Sequence, residues 1–177
     1  MATDNLTIEL LGYKQFIKVL KDADPEVRKA MDKEIRSFLN PVSSLAKSYV
    51  PARVLSGWEP DKENKWKDKA WNASEVKAKI RVRQGGKRER GSKSSSAWRI
   101  ENMNAAGAIY ELAGLKSQGK TPQGQTFVRM LQDRGGSPSR LIWRAWDEKG
   151  GKTVITRGVE GIIEHYQHEL QRKLNES

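Results

Sequence analysis

Leu6-Thr7-Ile8-Glu9-Leu10-Leu11-Gly12 opens the chain with a short, roughly alternating apolar run that ends at a glycine. It hands over to Tyr13-Lys14-Gln15-Phe16-Ile17-Lys18-Val19-Leu20-Lys21, where Phe16, Ile17 and Leu20 stand at helical spacing. Asp24-Pro25 then restarts the helix: Asp24 can cap exposed N–H groups and Pro25 suits the first turn. From Val27 the apolar residues Met31, Ile35, Phe38/Leu39, Val42, Leu45/Ala46 and Tyr49 recur every three or four positions. Arg28, Lys29, Asp32, Lys33, Glu34 and Arg36 occupy the other face, the pattern of a core-facing amphipathic helix. Pro41 lies inside the stripe and predicts a kink or break. The helix gives way to Val50-Pro51-Ala52-Arg53-Val54-Leu55-Ser56-Gly57-Trp58. Nothing in this opening reads as catalytic.

The rest of the chain is more polar. Trp58 to Trp71 has no clean period and reads as a loop or irregular arm. Val76, Ala78, Ile80 and Val82 alternate with Lys77, Lys79, Arg81 and Arg83, which predicts a strand with one apolar and one basic face. Residues 84–96 form a Gly/Ser/Lys/Arg loop, with Trp98–Ile100 and Ala105–Leu112 as candidate returning strands. Leu115 to Pro138 reads as a second glycine-rich loop, anchored only by Phe127, Val128, Met130 and Leu131. Leu141 to Trp146 precedes Gly150-Gly151, and a final helix sets Val159, Ile162, Ile163, Tyr166, Leu170 and Leu174 on one face. The expectation is one domain, 1–177: a strand plus helix over 6–58, strands with long basic and glycine-rich loops over 58–138, and a C-terminal helical segment over 139–177.

Composition bounds the function. Only 36% of the 177 residues are hydrophobic, a thin apolar supply that suits a subunit completing its burial against neighbours. The 33 basic against 22 acidic residues give a net charge of +11, which favours nucleic acid or another acidic surface. There is no cysteine, so disulfides and thiolate chemistry are excluded. The first residues show no secretory pattern, and no apolar run approaches the ~20 residues of a membrane span. The sequence therefore predicts a soluble chain made in the cytoplasm, with no membrane partner.

Gly114-Leu115-Lys116-Ser117-Gln118-Gly119-Lys120-Thr121 satisfies the phosphate-cradling pattern G-x-x-x-x-G-K-[ST]. Pro122 and Gly124 give poor support to the long helix that must follow, and no apolar strand ending in Asp offers a second metal ligand. The segment is read as a glycine loop. His165 and His168, an i, i+3 pair, lack the third ligand a metal site needs. Neither a Ser–His nor a Cys–His arrangement is present. No catalytic, cofactor-binding or metal residue is assigned, and no enzyme activity is expected.

The basic stretch carries more. Lys77, Lys79, Arg81, Arg83, Lys87, Arg88, Arg90 and Lys93 share 77–93 with one acidic residue, Glu89. Such a set can contact phosphates without reading sequence; the plainer alternatives are a solvated hairpin or the face of an acidic protein partner. Trp58, Trp66 and Trp71, interleaved with lysines, can stack on single-stranded bases or serve as packing anchors.

Three stretches together resemble the small head–tail joining and tail-completion (neck) proteins of long-tailed phages, the family of the lambda minor tail protein Z. They are the N-terminal strand, Gly12 and the helix begun by Asp24-Pro25-Glu26-Val27-Arg28-Lys29; Val50-Pro51-Ala52-Arg53 with Leu55-Ser56-Gly57; and Tyr110-Glu111-Leu112-Ala113-Gly114. The third is similar to that family's strand end, and Leu141 to Asp147 with the last helix stands where the family closes. The resemblance implies an α+β fold: a small antiparallel sheet packed by a long N-terminal amphipathic helix and a C-terminal helix, with long basic loops. It implies a virion protein at the neck, a homo-oligomeric ring of six copies at the top of the tail. That ring would join tail to head, with phage DNA in its lumen and tail-terminator, tail-tube or head-stopper rings as neighbours, and no catalysis or cofactor. A sequence-independent nucleic-acid-binding module is the alternative.

Overall fold

The computed structural model describes residues 4–9, 13–58, 69–84 and 96–176. Its elements run β1 (Asp4–Glu9), α1 (Tyr13–Ala23), α2 (Pro25–Ser48), α3 (Ala73–Lys79), β2 (Ile80–Gln84), β3 (Ser96–Asn102), α4 (Ala105–Leu112), α5 (Pro122–Gly135), α6 (Ile142–Glu148) and α7 (Gly151–Asn175). The expected α+β class holds: a small antiparallel sheet lies beside the long N-terminal helix, and the C-terminal helix packs along that helix.

Apart from Pro41, α2 folds as its pattern predicts. The carboxylate of Asp24 accepts hydrogen bonds from the Glu26 and Val27 N–H groups at 3.1 and 3.0 Å, with Pro25 in the first turn. The stripe Val27, Met31, Ile35, Leu39, Val42 and Ala46 is buried. The expected break at Pro41 is absent, since α2 continues to Ser48. Pro41 is exposed while Leu39, Val42 and Ala46 are fixed in the core on either side of it, so tertiary burial outweighs the lost backbone bond.

The sheet has the order β1-β3-β2, both pairs antiparallel. Leu6 and Ile8 pair with Ile100 and Trp98, and Arg81, Val82 and Arg83 pair with Glu101, Ile100 and Arg99. One face carries Ile80, Val82, Trp98 and Ile100, all buried, and α2 packs on β2. The other face carries Arg81, Arg83, Arg99 and Glu101.

Three expectations for the middle of the chain are corrected. The strand over Val76–Arg83 is a helix up to Lys79, because the Asn72 side chain accepts from the N–H groups of Ser74 and Glu75 and starts α3. Ala105–Leu112 is α4 and not a returning strand; Asn104 caps it through Gly107 N at 2.9 Å. The glycine-rich 115–138 stretch holds the 14-residue α5, capped by Thr121 Oγ1 on Gly124 N. Strong N-cap side chains thus override weak or misleading periodicity, and among the described residues of 58–138 helix outweighs the expected strands.

A buried polar joint locks α4, α5 and α6 together. Glu111 on α4 is wholly buried and accepts from the backbone N–H of Leu141 and, at 3.0 Å, of Trp143. It thereby caps α6, whose own N-cap residue Leu141 has no side-chain oxygen to offer. Arg140, also buried, donates to Gly136 O at 2.9 Å, Tyr110 O at 2.6 Å and Ala113 O at 3.2 Å, satisfying carbonyls at the ends of α5 and α4. Burial lowers the Arg140 pKa, with Tyr110 and Glu111 opposing that shift.

Candidate nucleic-acid interface

The pleat of β2 and β3 sends alternate side chains to opposite faces, so Arg81 and Arg83 share one face with Arg99 and Glu101. The three arginines converge on the single carboxylate of Glu101. Arg83 Nε lies 2.8 Å from Oε1, Arg81 Nε 3.4 Å from the same oxygen, and Arg99 Nε 2.9 Å from Oε2. The Arg99 contact is an ion pair and not an aligned hydrogen bond, for that buried Nε–H finds no acceptor in line. Arg81 also sets Nη2 3.1 Å from the sulfur of Met103.

Burial differs sharply across the cluster. The Glu101 side chain is 3% exposed, whereas those of Arg81 and Arg83 are 39% and 44% exposed. The carboxylate is thus roofed by guanidinium groups that themselves meet solvent. A buried carboxylate without partners is expensive, and three cations around it remove that cost. The balance of three positive charges against one leaves the face cationic.

Of the eight basic residues expected to act together, the structure brings Arg81 and Arg83 together on Glu101. Lys77 and Lys79 are exposed on the last turn of α3, where they complement the helix dipole and do not continue the strand's basic face. Lys87, Arg88, Arg90 and Lys93 lie outside the described residues, as does Trp66. Sequence reasoning missed Arg99 and Glu101. The signal was Trp98-Arg99-Ile100-Glu101, an alternation that puts a cation and an anion on the strand face opposite the core.

Trp58 and Trp71 serve as packing anchors. Their rings are 5.5 Å apart, Trp58 meets Phe127 edge-on at 5.2 Å, and Trp71 meets Tyr110 at 5.1 Å. Both indole N–H groups are taken, by Lys69 O at 2.7 Å and Pro51 O at 3.1 Å. Stacking on bases by Trp71, which is 3% exposed, is excluded by its burial. Beside Trp58, the 55–58 turn and α5 border an open groove of about 580 Å³, lined mainly by Leu55, Trp58, Phe127 and Met130 and by no ionisable side chain.

The Gly114–Thr121 pattern joins α4 to α5, helix to helix, and lacks the strand that a phosphate cradle follows. Its helix does form, contrary to the expectation drawn from Pro122 and Gly124. Gly119, at φ +106°, lets the turn close on the first residues of α5: a Cβ there would stand 2.6 Å from the Gly124 carbonyl carbon. Thr121 Oγ1 is engaged as a cap. His165 and His168 are exposed on α7. Among the described residues no three His, Cys, Asp or Glu side chains cluster to hold a metal, and no helix is long and apolar enough to cross a membrane.

No protein-family model, curated protein or solved structure matches this chain.

Proposed function

We propose that this protein is a non-catalytic structural subunit of a phage virion, placed at the neck. In this reading six copies form a ring at the top of a long tail, complete the tail and join it to the head, and the genome passes through the lumen. Tail-terminator, tail-tube or head-stopper rings are its neighbours, and the chain is made in the host cytoplasm.

The observation that carries the reading is the open cationic face of β2 and β3, where Arg81, Arg83 and Arg99 surround Glu101. A lumen that DNA must slide through needs positive charge that neutralises phosphate without recognising bases. The same face supports the second reading, a free sequence-independent nucleic-acid-binding module.

Electron microscopy of lysates from a phage carrying an early stop codon in this gene separates the two. Full heads beside unattached tails are the expected result. Normal virions would overturn the neck reading and leave the binding module.

A further inference from the structure

We infer that Arg81, Arg83 and Arg99 form a phosphate-binding site on the polar face of the sheet, that its ligand is the phosphodiester backbone of nucleic acid, and that Glu101 is its positioning residue. The inference deepens the proposed function, and rests on it for the supply of DNA to this face.

All three arginines approach Glu101 through Nε, at 2.8 to 3.4 Å. A guanidinium engaged at Nε can offer its Nη edge to an oxyanion; in Arg81 one end of that edge, Nη2, already meets the Met103 sulfur at 3.1 Å, so the two-point contact falls to Arg83 and Arg99. Backbone pairing fixes the stems: Arg81 stands opposite Glu101, and Arg83 opposite Arg99. Three flexible side chains from two strands are thereby gathered around one point before any ligand arrives, which removes much of the ordering cost of binding.

Charge then selects the ligand. One carboxylate cannot neutralise three guanidinium groups, and their mutual repulsion is relieved by an anion arriving from the solvent side, where Arg81 and Arg83 are about two-fifths exposed. Arginine in place of lysine favours two-point contact between its planar fork and a pair of phosphate oxygens. Lys77 and Lys79, exposed on α3 just before β2, add to the chain's overall positive charge without sharing the cluster's face.

The test is fluorescence anisotropy of the full chain with a short, mixed-sequence DNA duplex, comparing wild type, the charge-preserving double variant Arg83→Lys/Arg99→Lys, and Glu101→Gln. Thermal melts check that each variant is folded. The double variant is expected to bind about tenfold more weakly with an unchanged salt slope, since charge is kept and fork geometry lost. Glu101→Gln removes a negative charge, so a charge-only account predicts tighter binding; disorganised arginines predict weaker binding. Wild-type affinity in the double variant overturns the site, and does so even if Glu101→Gln fails to fold. Tighter binding by folded Glu101→Gln overturns the positioning role. Competition by polyglutamate as effective as by unlabelled DNA overturns the phosphate assignment. Lysate microscopy judges the neck reading and these titrations judge the site, so either can fail alone.

Discussion

Replacing Glu111 with Gln tests whether a distant buried carboxylate, and not the local sequence, starts α6. The native side chain is 0% exposed, and its two oxygens take the N–H groups of Leu141 and Trp143 separately. Glutamine keeps the shape but offers one oxygen, so its NH₂ group must face one of those donors. A buried donor left unsatisfied costs about 1–3 kcal/mol. Losing a negative charge at a partly buried helix N-terminus adds up to about 2 kcal/mol. Arg140, 3% exposed, also loses an opposite charge that favours its ionised form. Easier burial of the neutral amide offsets part of this, which puts the net loss at about 2–4 kcal/mol. Urea unfolding followed by tryptophan fluorescence reads it: with m of about 2 kcal/mol/M, the midpoint falls by about 1–2 M. A loss below about 0.5 kcal/mol, within the range of an ordinary surface change, would refute the capping argument.

Other outcomes follow from single contacts. On α7, a Cβ at Gly158 would enter the Phe38 ring, whereas one at Gly161 meets open space. Gly161→Ala should therefore gain about 0.5–1 kcal/mol and Gly158→Ala should lose about 1–2 kcal/mol, read as opposite shifts in Tm. Burial, and then a hydrogen bond to Glu34, push the Tyr166 hydroxyl up to about 12. Its folded pKa is raised, so its contribution to stability is whole below the unfolded value near 10 and is lost as pH rises toward 12. Tyr49 and Tyr110 are also raised, with burial the first cause in each. Tyr166→Phe should accordingly remove a share of the alkaline loss, measured by unfolding midpoints across that pH window.

The helix opened by Asp24-Pro25 was the most legible part. A stripe recurring every three or four residues can be buried in only one way, and Asp24-Pro25 states where the helix begins. The last helix was readable for the same reason, through Val159, Ile163, Tyr166 and Leu170. In the middle, short elements carry too few apolar residues for period to decide. Val76, Ala78, Ile80 and Val82 alternate as a strand would, yet the Asn72 cap commits the first two to α3. Pro122 and Gly124 weigh against a helix on propensity alone, and the Thr121 cap with the packing of Val128 and Leu131 still makes α5.

The candidate site divides in the same way. By itself the sequence determined that the chain is strongly basic, that Arg81 and Arg83 share a strand face, and that the long helix carries the core. Only the tertiary structure decided that Arg99 and Glu101 lie across from them, because strand pairing brings together residues 16 to 20 positions apart. It also decided that Glu101 is buried while Arg81 and Arg83 stay partly in solvent, and that Glu111 and Arg140 join three helix ends. Charge and periodicity are local properties of a chain. Which carboxylate is desolvated, and which cations surround it, depends on what folds over it.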